Sequence, residues 1–153
     1  MTGVQTCALP IYAFSNLTAL ESFRVAEGNP AFAAWDGLLY TADGKTLIAC
    51  PVGITGTVEV REGTVEIGAY AFYSSYRKAS VVVIPEGVTT MRFGNFTSTL
   101  YNSQLALYLP ASLTEIHVDT FSYAQPENVT VYCPAGSAAE TQARQYGLTV
   151  VHN

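Results

Sequence analysis

Apolar and polar positions recur along this chain at a nearly fixed interval. Val60, Ile84, Leu109 and Cys133 form one apolar column, with steps of 24, 25 and 24 residues. Phe72, Phe96 and Phe121 form a second, with steps of 24 and 25. The stretch Val81–Phe96, VVVIPEGVTTMRFGNF, is one full copy, with similar copies at Val58–Phe72 and Leu105–Phe121. Self-similarity at this period predicts a solenoid. Each copy reads as a short strand (Val58–Val60, Val81–Ile84, Leu105–Leu109) followed by a turn at 61–63, 85–87 or 110–112. Inward aliphatics follow (Val65 and Ile67, Val88 and Met91, Leu113 and Ile116), and then the closing aromatic. One such unit cannot bury its apolar residues alone; stacked neighbours make a continuous core.

The flanks depart from the period in ways that predict further elements. Leu17 and Leu20 lead to Phe23 and Val25, which alternate as a strand with one buried face. Phe14 to Phe72 spans 58 residues, which leaves room for an insert at about 26–57. Within it, Leu38–Thr41 and Thr46–Ala49 bracket Ala42-Asp43-Gly44-Lys45, an Asp-Gly hairpin signal. Phe32, Trp35 and Tyr40 are the expected anchors of that hairpin on the solenoid. At the other end, Val129, Val131 and Cys133 repeat Leu105, Leu107 and Leu109 at an offset of 24. Ser137-Ala138-Ala139-Glu140 is a capping box that starts a helix to Tyr146, with Gly147 as its stop. A last strand over Leu148–Val151 completes a cap at about 134–153, as a terminal repeat needs.

Strand alternation also marks what the core leaves free. If Val60, Ile84, Leu109 and Cys133 face inward, then Glu59, Val83, Tyr108 and Tyr132 face outward, and Arg24 starts that row by analogy. Val81, Ala106 and Thr130 flank it. Tyrosine has a large apolar body and a polar tip, which favours it at interfaces. Arg24, Glu59, Val83, Tyr108 and Tyr132 are therefore the candidate protein-binding face. Ordinary cross-strand pairing that stiffens the sheet is the competing account of the same residues.

Composition narrows the function classes. The chain of 153 residues is 49% hydrophobic and 12% charged, which fits one folded domain. Its net charge of −5 with only seven Lys and Arg argues against a phosphate-backbone partner. No apolar run approaches the roughly 18 residues of a membrane-spanning helix. The sequence has no G-x-S-x-G, P-loop or G-x-G-x-x-G motif, and no C-x-x-C. Neither His117 nor His152 has ligands at metal spacing, and the capping box explains Ser137. No catalytic residue, cofactor or metal is therefore expected. Cys50 and Cys133 are about three strand spacings, roughly 14 Å or more, apart along the stack, beyond the reach of a disulfide. Glu62 and Glu86, one repeat apart, are expected to form a solvated acidic ridge. Asn16, Asn95 and Asn128 lie in N-x-T sequons.

From Tyr12 to the C-terminus the chain resembles the BspA-type leucine-rich-repeat family. The resemblance rests on IPEGVT at 84–89, the YAF closures at 12–14 and 70–72, and the copies REGTVEIG at 61–68 and LPASLTEI at 109–116. The hairpin NP…DGLLY…DGKTLI…P at 29–51 and the ending CPAGSAAETQARQYGL at 133–148 add to it. Asn95-Phe96 in place of Ala-Phe, Arg92-Phe93 in place of a small pair, and the tail at 73–80 depart from it. The resemblance implies a right-handed coil with a mainly parallel sheet on one face. It also implies a non-catalytic bacterial protein, secreted or at the cell surface, that binds a host extracellular or microbial surface protein. A passive spacer within a larger surface protein is the alternative, and a monomer is expected in either case.

Residues 1–11, MTGVQTCALPI, fit no repeat. With a GTG start read as Met, they match the translation of a sequencing-adapter DNA. They are expected to be a non-native leader on a truncated frame, the repeat domain being 12–153. The native chain is then expected to continue N-terminally with more repeats. Different codons in the underlying DNA would refute this.

Overall fold

A computed structural model describes residues 13–14, 16–73, 78–96, 104–122 and 124–153. The expectation for residues 1–11 lies outside them, as do Tyr12 and half of the variant tail, 74–77. Among the described residues, eleven strands and one α-helix follow in order: β1 (Phe32–Trp35), β2 (Leu38–Thr41), β3 (Thr46–Ala49), β4 (Gly56–Glu59), β5 (Glu66–Ile67), β6 (Ala79–Val83), β7 (Thr90–Met91), β8 (Leu105–Tyr108), β9 (Glu115–Ile116), β10 (Val129–Cys133), α1 (Ala138–Gln145) and β11 (Thr149–His152). The chain coils as a solenoid between two sheets. One sheet is five-stranded in the order β11-β10-β8-β6-β4, and every pair in it is parallel. The other runs β1-β2-β3-β5-β7-β9, antiparallel at β1-β2-β3 and parallel thereafter.

The repeat columns become the core. Val60, Ile84, Leu109 and Cys133 are all buried, as are Val58, Val82, Leu107 and Val131 two residues before them. Phe72, Phe96 and Phe121 stack ring on ring, with centroids 5.3 and 6.0 Å apart and both interplanar angles 17°. Asn95 sits beside this stack, fully buried, where the preceding copy has Ala71. Its Oδ1 accepts from the Phe72 amide at 3.1 Å, and its Nδ2 donates to the Gly68 and Arg92 carbonyls at 3.1 and 2.8 Å. A buried polar group is tolerated when its partners are present, and here the side chain bridges two copies.

Several expectations need correction. Val65 does not face inward; it is 40% exposed. The inward position belongs to Thr64, in line with Val88 and Leu113 at offsets of 24 and 25, and all three are fully buried. The Thr64 hydroxyl donates to the Arg61 carbonyl at 2.7 Å, which satisfies it inside the turn. The aliphatics after each turn also do more than fill space. They build two-residue rungs, Glu66–Ile67, Thr90–Met91 and Glu115–Ile116, that form the second sheet. Residues 20–26 form no strand. Phe23 donates its amide to the Gly37 carbonyl at 2.8 Å and packs edge-on against Phe14.

The hairpin is integral to the solenoid. Its β2 and β3 lie where the sequence places them, but β1 adds a third antiparallel strand through Asp36-Gly37, both at positive φ (50° and 79°). That conformation suits a tight hairpin turn. On the far side β3 pairs in parallel with β5, so the insert supplies a rung of the second sheet. Tyr40 is fully buried, and its hydroxyl oxygen accepts from the Arg61 amide at 3.0 Å. Trp35 meets Tyr40 edge-on and carries the Arg61 guanidinium 4.4 Å above its ring. Phe32, the third expected anchor, stays half-exposed.

The C-terminal cap forms as its signals require. The Ser137 hydroxyl accepts from the Glu140 amide at 3.1 Å. Glu140 reaches back to the Gly136 amide at 2.6 Å, one residue earlier than the standard capping box. The Gly147 and Leu148 amides donate to the Arg144 and Ala143 carbonyls, which is the Schellman pair. α1 buries Ala139 and Ala143. The other Glu140 oxygen is 2.8 Å from Arg144 Nε and 2.9 Å from His152 Nε2, so one carboxylate ties helix, turn and last strand together. The Gly136 amide first, then His152 and Arg144, hold this carboxyl down at about 2 against an ordinary 4.5. A depressed folded-state value stabilises the fold above pH 4.5, and that contribution is lost as pH falls from there toward 2. Glu140→Gln is therefore expected to weaken the fold at neutral pH and to flatten the fall in melting temperature between pH 5 and about 2, read by circular dichroism. An unchanged acid limb in the variant would refute this role.

Candidate functional site

The candidate face is the outer surface of the five-stranded sheet. Register puts Glu59 beside Val83, Val83 beside Tyr108, and Tyr108 beside Tyr132. The four residues that alternation selects therefore form one continuous row. The structure extends it by Val151, which pairs with Tyr132 and is 40% exposed. The 24-residue period could not find Val151, because the cap brings the next strand back after 19 residues. Thr57, Val81, Ala106, Thr130 and Thr149 form the row beside it. Arg24 is exposed but belongs to neither row; it lies in the strandless segment before the hairpin, and β4 is the last strand on that side.

Tyr108 and Tyr132 dominate the row. Their rings stack with centroids 4.5 Å apart and planes within 12°. That separation is close to the strand spacing of about 4.8 Å, so adjacent parallel strands set the stack. Both residues are half-buried, and neither phenol oxygen has a hydrogen-bond partner among the described residues. The Glu59 carboxylate is exposed and likewise has none there. The row carries no cationic side chain.

The remaining candidates have structural employment. Cys50 and Cys133 are buried thiols. His117 caps a short 3-10 turn over Val118–Phe121, its Nδ1 accepting from the Asp119 amide at 3.2 Å. Glu86 is exposed, as is Glu62, but it is also bonded to the next copy. Its two oxygens accept from the Ala111 and Ser112 amides of the next turn at 2.8 and 3.2 Å, the first of these chiefly lowering its carboxyl below the usual range. Glu62 makes no equivalent carboxylate bond among the described residues. The sequons divide: Asn95 and Asn128 are buried, while Asn16 is exposed. Among the described residues, no group of three or more His, Cys, Asp or Glu could hold a metal, and no helix is long and apolar enough to cross a membrane.

The fold and its outer face define a leucine-rich-repeat solenoid. The chain is similar to a solved leucine-rich repeat protein from Eubacterium ventriosum, with a TM-score of 0.60 and 19% identity over 80% of this chain. It spans 32% of that protein's chain, about a third of its length. A second solved structure, the pneumococcal vaccine antigen PcpA, aligns with a TM-score of 0.44 and 18% identity over 87% of this chain and 50% of its own. No family model matches the sequence. No curated protein matches it either.

Proposed function

We propose that this chain is a protein-binding repeat module that presents the outer face of its five-stranded sheet to a partner. The carrying observation is the Tyr108–Tyr132 stack, two parallel phenols without an internal hydrogen-bond partner among the described residues. Parallel strands hold both rings at fixed spacing, so little side-chain freedom is lost on binding. The sequence features of the BspA-type family at 29–51, 84–89 and 133–148 support a bacterial, secreted or cell-surface setting, with an adhesin-like role for a monomeric chain. The partner in that setting is a host extracellular or microbial surface protein.

The test begins with crosslinking capture from such surface proteins, followed by titration of the captured partner. Tyr108→Ala and Tyr132→Ala are each expected to weaken binding about tenfold or more, the range of a buried aromatic anchor. Circular dichroism verifies that both variants keep the fold. Undiminished binding by the folded double variant would remove this face from the account, and failure to capture any partner would favour the passive spacer.

A further inference from the structure

We propose that the outer face holds a subsite for a guanidinium side chain, formed by Tyr108, Val83 and Glu59; this rests on the binding-face reading above. Tyr132 stacks on one side of the Tyr108 ring, and no second ring stacks on Tyr108 among the described residues. Its other face looks toward β6, where the row places Val83, a far shorter side chain. One strand further, at the edge of the sheet, the row ends on Glu59. The result is a step: an aromatic wall, a valine floor and a carboxylate opposite. Two strand spacings separate the Tyr108 and Glu59 positions, about 9.6 Å. A planar cation stacked on the ring occupies about 3.5 Å of that span, at van der Waals contact. The rest lies within reach of an exposed, flexible Glu side chain.

The chemistry selects the occupant. Guanidinium stacks on an aromatic face and pairs with carboxylate through a planar fork, whereas ammonium is a compact and more strongly hydrated charge. A neutral sugar would gain nothing from the Glu59 charge. An anion is opposed by Glu59 and finds no cation in the row. The chain's own cations are largely engaged elsewhere: Arg92 with Glu66, Arg144 with Glu140, and Arg61 over Trp35. A net charge of −5 adds long-range attraction for a basic segment. The predicted partner therefore presents an exposed arginine in an extended segment.

The probe is the peptide acetyl-Gly-Arg-Gly-amide, titrated into the full chain while methyl and aromatic NMR signals are followed. Saturable shifts are expected at Val83 and Tyr108. The citrulline peptide, neutral and of the same shape, and the Glu59→Gln variant are each expected to lower affinity about three- to fivefold, the scale of an exposed ion pair. The lysine peptide is expected to bind more weakly than arginine, and added salt to weaken the arginine complex. Tyr132→Ala, which leaves the wall, floor and carboxylate in place, is expected to keep most of the affinity. Equal shifts with citrulline, an unchanged constant in Glu59→Gln, or shifts spread over other acidic residues would overturn the subsite. Those results leave the binding-face proposal standing, since that depends on partner capture and on loss in the tyrosine variants.

Discussion

Replacing Phe96 with alanine is expected to lower the unfolding free energy by about 3–5 kcal/mol, the scale for truncating a buried phenylalanine. Phe96 is 1% exposed and lies between Phe72 and Phe121, touching both rings. Each outer ring has one such neighbour in the ladder, and the central ring has two. Aromatic contacts add roughly 0.5–1.5 kcal/mol per pair beyond burial. The gap also cannot close easily, because each copy is pinned to the next by backbone bonds, including the Phe96 amide to the Thr120 carbonyl at 3.0 Å. A domain of this size is typically stable by only about 5–15 kcal/mol, so the variant approaches the unfolding threshold. Urea denaturation with an unchanged m-value measures the effect. Phe96→Leu is expected to retain more than half of the lost stability. A loss under about 1 kcal/mol in the alanine variant would mean that the ladder is not a principal part of the core.

Gly94→Ala is the second large effect, expected at about 2–4 kcal/mol from backbone strain and overpacking together. Gly94 has φ +78°, a conformation that L side chains rarely adopt. An added Cβ there would collide with the Tyr70 ring. That ring is fixed by its own backbone, since Tyr70 also has positive φ (58°) and donates its amide to the Phe93 carbonyl at 3.0 Å. Phe93 meets Tyr70 edge-on at 5.0 Å and His117 at 5.5 Å, so displacing Tyr70 disturbs a string of rings along this corner. A double-mutant cycle separates the two causes. In a Tyr70→Ala background the added methyl finds room, and Gly94→Ala should then show only the backbone part, about 1–2 kcal/mol. The same loss in both backgrounds would remove the steric half of the argument.

The repeat made much of this fold legible, and the exceptions have physical causes. Val60, Ile84, Leu109 and Cys133 could be placed in one buried column because a parallel stack demands equivalence at equal steps. The same step would have identified Thr64 through Val88 and Leu113, but its polarity drew the inward assignment to Val65. Only the local bond from Thr64 to Arg61 makes that burial tolerable, and such a bond is not visible in residue type. The row Glu59–Val83–Tyr108–Tyr132 followed from alternation alone, whereas Arg24 was placed by analogy and lies outside it. Glu86 is exposed as expected, but its bonds were not legible because its partners, the Ala111 and Ser112 amides, belong to the next copy. Glu140 was read as a local cap, but its bonds to Arg144 and His152 join elements that sequence cannot place side by side. Backbone bonds between copies, and side chains that serve them, carry no signature in a single sequence.

The Glu140 knot has a mechanical consequence. Strands in the five-stranded sheet lie across the coil axis, so a pull along that axis loads their hydrogen bonds one after another rather than all at once. Peeling from the α1 side would begin at the seam between β11 and β10. His152 sits on that outermost strand, and its contact with Glu140 fastens the strand to a helix outside the sheet. A crack that starts there must break the fastening before it can run inward, copy by copy. Acid that protonates Glu140 would release the fastening, so the same chain should tear at lower force in acid than at neutral pH.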